Sequence, residues 1–455
     1  MRTYELEKVP GVPLYESLYR HLREDILSGV FQPGEKLPSK RALAEHLKIS
    51  KMTVETAYQQ LLSQGYLSSR ERSGYFVEEV QQRKKQEVLT REEAQPLGEE
   101  QLDLKSNGSA DFPFSVWSRL QREVLQDYGE ALLKPLAHQG CLELRQAIAI
   151  HLRDFRDMHV SPEQIVIGAG TDFLYNLLIQ LLGRDKLYAL EEPGYDKIRR
   201  IYAAGGVQVL SAAVDEKGVI PESLGKAQVL HISPAHHFPT GIVTSAQRRR
   251  ELLDWAKRND GYIIEDDYDS EFRFHAHPLP TMQAMDMDNR VIYMNSFSKS
   301  LAPSIRVGFM VLPEPLLEQF RERLGFYSCT VASFEQYTLA RFISRGHFEK
   351  HINRMRRFYR RRRDRVVKAL SNCPWADKMT IYEENAGLHF LVKVDTQLSD
   401  EALVALWAQC GIRVNTLSRY YHGNVPREKH HWLVINYSGL EESQLFRLEQ
   451  LSQDV

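Results

Sequence analysis

Between Gln81 and Glu100 the chain reads Q-Q-R-K-K-Q-E-V-L-T-R-E-E-A-Q-P-L-G-E-E, with Val88, Leu89 and Ala94 the only apolar residues before Pro96. A stretch this polar cannot bury enough surface to offset the entropy of ordering it. It therefore divides the 455 residues into parts that must each build their own core, expected as 1–80, a linker at 81–101, and 102–455. At roughly 100–200 residues per domain, the length leaves room for two to four domains. No apolar run approaches the roughly 20 residues of a membrane helix, and Met-Arg-Thr-Tyr-Glu-Leu-Glu has no apolar leader core. Cys141, Cys329, Cys373 and Cys410 lie far apart without C-x-x-C spacing. A cytoplasmic, reducing setting is the expectation, and a zinc ribbon is excluded. The 59 Lys+Arg and 60 Asp+Glu give a net charge of -1, which argues against a nucleic-acid partner only if charge is spread evenly.

It is not spread evenly in the first part. Leu14, Leu18, Leu22 and Ile26 recur at helical spacing, and Ser28-Gly29 ends that helix. After the turn F-Q-P-G-E-K-L-P, Ser39 can cap a second helix reaching Leu47. A third helix is expected from Lys51 to about Ser63, exposing Lys51, Thr53 and Tyr58 and burying Val54, Ala57 and Leu61. Y-L-S-S-R-E-R-S-G-Y-F-V then reads as two strands with a charged hairpin. Such a helix–turn–helix with a wing suits DNA reading, and pattern alone leaves a small protein-interaction domain equally open. Lys36, Lys40, Arg41, Lys48 and Lys51 crowd the turn and the helix starts, where phosphate contacts are needed.

Beyond Leu102, short apolar runs alternate with helical stretches, as in I-V-I-G after Gln164, G-Y-I-I-E-D-D after Asp260 and R-V-I-Y-M-N after Asn289. That alternation implies an α/β fold with a mostly parallel sheet covered on both faces. N-S-F-S-K-S-L-A-P-S-I-R, from Asn295, puts Lys299 after a strand and a serine-rich turn. Such a lysine suits a Schiff base, and Ser296, Ser298 and Arg306 suit a phosphate. Asp266 at a strand end can hold a pyridinium nitrogen, and Tyr268 can donate to a phenolate oxygen. Ala169, Gly170 and Thr171 join a strand to a helix as a candidate anion nest, and Tyr195 offers a ring to stack on a pyridine.

In L-P-S-K-R-A-L-A-E-H-L-K-I-S-K-M-T-V-E-T-A-Y-Q-Q-L-L-S-Q-G-Y-L the first part resembles the GntR-type winged helix. By that resemblance Ser39, Arg41, Ser50, Lys51 and Thr53 contact phosphate or bases, with Arg70, Arg72 and Gly74 in the wing. The nest, Tyr195, Asp266 and Lys299, in that order, resemble fold-type I aminotransferases. The whole, with S-P-A-H-H-F-P-T-G, H-Q-G-C-L-E-L-R and L-S-R-Y-Y, looks like the MocR/GabR subfamily of GntR regulators. The resemblance implies pyridoxal 5'-phosphate (PLP) on the lysine, a head-to-tail homodimer and control of transcription; PLP itself or an effector amine is the signal expected here. Two positions depart from that pattern. Val434 stands where the family usually carries a carboxylate-gripping arginine, and His237 where glutamine is common. Val434 weakens the case for transaminating an α-amino acid; Lys197 and Arg413 are candidate substitute cations. An aminotransferase tethered to DNA and a cofactor-free dimerisation scaffold are the rival readings.

The run R-M-R-R-F-Y-R-R-R-R-D-R, Arg354 to Arg365, reads as a long exposed helix anchored by Phe358, or as a second DNA-facing surface. His347 and His351 form one H-x-x-x-H, expected on a solvated face, and the pairs His236-His237 and His430-His431 should point to different sides of a strand. No metal site is read from these spacings. Cys141 and Cys329 read as packing residues.

Overall fold

A computed structural model describes residues 3–4, 13–70, 73–79, 102–105, 112–274, 279–382 and 387–451. The chain separates into two compact units, Met1–Pro96 and Leu97–Val455. The stretch expected to link them lies outside the described residues.

In the first unit, helix α1 (Leu14–Leu27) buries Leu18, Leu22 and Ile26 on one stripe. Helix α2 (Lys40–Leu47) starts where the Ser39 hydroxyl accepts the Ala42 N–H at 3.2 Å. It stops at Lys48, which takes a left-handed conformation. Ser50 repeats the device for α3 (Lys51–Ser63), accepting the Thr53 N–H at 3.0 Å. Strands β1 (Leu67–Arg70) and β2 (Gly74–Val77) pair antiparallel with Arg70 opposite Gly74. Tyr58 departs from expectation: it is fully buried, not exposed. It stands on the same i, i+4, i+7 stripe as Val54 and Leu61. Its hydroxyl donates to the Pro38 carbonyl at 3.0 Å, and its ring meets Tyr75 of the hairpin edge-on.

The second unit is built on an eight-stranded sheet. Strands Val291–Ser296, Tyr262–Asp266, Val229–Ile232, Leu187–Glu192 and Gln208–Asp215 run parallel, in that spatial order. Gly308–Val311 is inserted antiparallel between Val291–Ser296 and Ile165–Gly168, and Gly218–Val219 closes the far edge antiparallel. Alternate residues feed separate cores: Ile165 and Ile167 join one cluster while Val166 joins another, as expected for a sheet covered on both faces. A smaller antiparallel sheet orders Met379–Tyr382, His389–Val394, Trp432–Asn436 and Asn415–Thr416.

The basic run lies on the 26-residue helix His347–Asn372. Phe358 is only half-buried; Ile352, Met355, Tyr359, Val366 and Leu370 do the anchoring. His351 is buried rather than solvated, with its Nε2 2.8 Å from the Ser300 carbonyl. Neither histidine pair lies on a strand, and His236 and His237 are both buried in a loop. All four cysteines are free, with Cys141 buried and its thiol pushed up to about 12 by that burial. Among the described residues no helix is long and apolar enough to cross a membrane.

Candidate functional site

The carboxyl ends of the parallel strands open on a cavity of about 220 Å³, where ligands of open α/β sheets are held. Strand Tyr262–Asp266 delivers Asp266 to it, and Val291–Ser296 delivers Ser296 and then a short turn of helix, Phe297–Ser300, carrying Ser298 and Lys299. The His351 imidazole, on the long helix, holds the Ser300 carbonyl of that turn. Burial lowers the Lys299 ammonium to about 8, against the opposing pull of Asp269. A lysine so placed is a neutral nucleophile for a substantial fraction of the time near neutral pH.

Asp266 is held from one side only. The Tyr175 hydroxyl donates to its Oδ2, and His231 Nε2 lies 3.4 Å from the same oxygen. Tyr202 places its hydroxyl 2.7 Å from His231 Nδ1. Oδ1 of Asp266 is buried without a hydrogen-bond partner among the described residues, and the residue borders the cavity. A buried acceptor of this kind calls for a donor on a ligand. Tyr268 also borders the cavity, and burial, reinforced by Asp269 and Asp266, raises its phenol well above the usual range. It therefore keeps its proton as a donor. His236 Nδ1 lies 3.3 Å from the Tyr268 oxygen and 2.9 Å from Asp269 Oδ2.

Arg306 takes a left-handed conformation, with its guanidinium 3.3 Å from Asp172 and half exposed at the cavity mouth. Gly170 makes room for it: a Cβ there would sit 2.7 Å from Arg306 Nη2. The expected anion nest is otherwise spent within the protein. Ala169 donates its N–H to Thr330 Oγ1 at 3.0 Å and Gly170 donates to the Gly168 carbonyl at 2.7 Å. Of the three nest residues only Thr171 borders the cavity. Tyr195 stands half exposed at the wall, edge-on to Phe238 at 5.7 Å.

Val434 packs with Leu391 and Leu417 against Phe238 and Tyr421, so an apolar cluster fills the place of the missing arginine. Asn436, two residues on and facing the same side, borders the cavity instead. His237 does not border it. Its Nδ1 is 2.6 Å from Thr240 Oγ1, its Nε2 3.7 Å from Glu191, and burial lowers it to about 3. Lys197 lines the cavity but pairs with Asp172 at 2.7 Å, and Arg413 pairs with Asp103 at 3.6 Å away from it. Sequence reasoning missed Tyr175, His231, Glu191 and His389. Glu191, raised to about 8 by burial, accepts the Ser233 N–H. His236, Asp269 and His389 cluster with ligand-type atoms within 4.8 Å of one another, all buried. Spacing along the chain carries no trace of that cluster.

In the first unit Lys51 is exposed at the start of α3, and Arg41, also exposed, pairs with Glu45 at 3.0 Å. The Lys40 ammonium is committed to Glu55 at 2.6 Å and lies over the Tyr75 ring. Ser39 and Ser50 act as caps, and Thr53 Oγ1 lies 2.8 Å from Ser50 Oγ. Arg70 stacks on Phe76, and Gly74, at φ +119, lets Lys36 pass close by. Arg72 lies outside the described residues.

Comparison with known proteins matches both units. Residues 14–77 match bacterial regulatory proteins of the gntR family, and residues 99–448 match aminotransferase class I and II. The chain is 36% identical to YdeL, an uncharacterized HTH-type transcriptional regulator of Bacillus subtilis, over 97% of this chain and 96% of the relative. It is 32% identical to the probable rhizopine catabolism regulatory protein MocR of Rhizobium meliloti, over 96% and 92%. It is 33% identical to PdxR, a pyridoxine biosynthesis transcriptional regulator of Corynebacterium glutamicum, over 89% and 88%. In fold it is similar to the kynurenine aminotransferase of Pyrococcus horikoshii, with a TM-score of 0.69, 22% identity and coverage of 78% and 91%. The chain therefore belongs to the gntR family of bacterial regulatory proteins, among the MocR-like transcriptional regulators that join a winged helix to an aminotransferase class I and II domain.

Proposed function

We propose that this regulator carries PLP on Lys299 and that PLP itself, or an amine captured there, sets its affinity for DNA. The observation that carries the reading is the convergence on one cavity of a lysine lowered to about 8 and the unpartnered Oδ1 of Asp266. Bound there, PLP supplies an aldehyde that condenses with primary amines and a ring that withdraws electrons. The chain's own groups divide the work of holding it. Asp266, fixed through Oδ2 by Tyr175 and His231, turns Oδ1 toward a ring N–H. Tyr268 would donate a hydrogen bond to a phenolate oxygen, and the ring of Tyr195 would stack on the pyridine. Ser296, Ser298 and Thr171 would donate to its phosphate, and Arg306, given space by Gly170, would add a charged fork.

The apolar cluster around Val434 supports PLP, or an amine lacking an α-carboxylate, as the signal. Lys51, Arg41, Ser39, Ser50, Thr53 and Lys40, with Arg70, Arg72 and Gly74 of the wing, are the proposed DNA contacts. The working form is a cytoplasmic homodimer. Visible absorbance of the purified protein tests the reading: wild type yellow, Lys299→Ala colourless. A colourless wild type that gains no absorbance when PLP is added would overturn it. If PLP binds but leaves the affinity for a selected DNA site unchanged, the signalling part fails.

A further inference from the structure

The structure sorts the basic run on helix His347–Asn372 into two populations. Arg356 donates to the Glu271 carbonyl and Arg362 to the Ser438 carbonyl, both at 2.5 Å. Arg363 is buried over the Phe274 ring and bonded to Asp364, and Arg365 pairs with Glu442. These arginines fasten the helix to its own unit. Lys350, Arg357, Arg360, Arg361 and Lys368 are exposed, and their side chains make no hydrogen bond or ion pair with any described residue. At 3.6 residues per turn, Lys350, Arg357, Arg361 and Lys368 fall at i, i+7, i+11 and i+18, inside an arc of about 40°. They form a straight cationic stripe about 27 Å long, at 1.5 Å per residue. Asp364, beside the stripe, is already engaged by Arg363.

We propose that this stripe holds the phosphate backbone of duplex DNA flanking the sequence read by the N-terminal unit. The two strands of a duplex together carry a phosphate about every 1.7 Å of axis, so a rod of that length lies beside several of them where the strands wind past it. The apolar face of the helix is buried in the core, so nothing greasy remains to enter a membrane. The exposed face also lacks the aromatic and aliphatic anchors that a protein partner needs. DNA, already captured by the first unit, is present at high effective concentration.

The test uses the full chain and a duplex selected from a random pool, as a core of about 20 base pairs and as the same core with mixed-sequence flanks. The variant replaces Lys350, Arg357, Arg361 and Lys368 by glutamine. Wild type should bind the flanked duplex about tenfold or more tighter than the core, and the variant should lose that margin. The slope of log affinity against log salt on the flanked duplex should fall by about 3–4, near 0.9 per lost phosphate contact. Affinity for the core should stay as it was. A control in which Lys350 and Lys368 become arginine, and Arg357 and Arg361 become lysine, should keep the margin. An unchanged margin and slope in the glutamine variant overturns the proposal and leaves the stripe to another partner, such as an acidic protein. Equal loss on the core duplex also overturns it, since the substitutions then act on DNA reading or assembly.

Discussion

At the cavity one physical cause, burial, sets three groups in useful states. It lowers Lys299 to about 8, raises Glu191 to about 8 and keeps the Tyr268 phenol protonated. The folded value of Lys299 lies below the ordinary 10.5, so the amine becomes mostly neutral above about pH 8. Capture of PLP by apo-protein, followed by visible absorbance, should accelerate between pH 7 and 9 with a midpoint near 8. A midpoint above 10 would mean that the amine is solvated. By linkage, this group's contribution to stability rises with pH between about 8 and 10.5, where the unfolded chain binds the extra proton. Lys299, Asp266, Ser296 and Arg306 were legible because strand ends and one continuous turn bring them together. Tyr175, His231 and the His236–Asp269–His389 cluster were not, since elements far apart in the chain supply them.

Among the elements, amphipathic period located helices well and judged single faces less well. Helix α3 begins and ends as its pattern implies, yet Tyr58 is core. A tyrosine's polar tip made the surface plausible; the hairpin folding back with Tyr75 closed that face. Tyr58→Phe should cost the first unit about 1 kcal/mol in urea unfolding, because the Pro38 carbonyl loses its donor. No loss of stability would place that hydroxyl in solvent. The glycine turn at Gly168–Gly170 carries the same lesson. Its composition announced a tight strand-to-helix connection, but two of its N–H groups serve Thr330 and Gly168, and the bare Cα serves Arg306.

At the scale of the whole molecule, two units with separate cores should unfold in separate steps. Saturating PLP should raise only the step belonging to the larger unit, by about 2.7 kcal/mol at a hundredfold excess over Kd. Scanning calorimetry with and without PLP checks this; an equal rise in both steps would show that they are one cooperative unit. Features that depend on neighbours along the chain could be read from the residues alone: the helices of the reader, the Ser39 cap, the alternation of strands and helices, and the lysine, serines and arginine of one turn. Periodicity and local hydrogen bonding act over a few residues, and they are written there. Folding settles which face of α3 is covered, which arginines of the long helix are fastened and which are free, and that Asp266 is gripped through one oxygen. Those outcomes depend on partners supplied from elsewhere in the chain, and desolvation takes effect only once the partners have met.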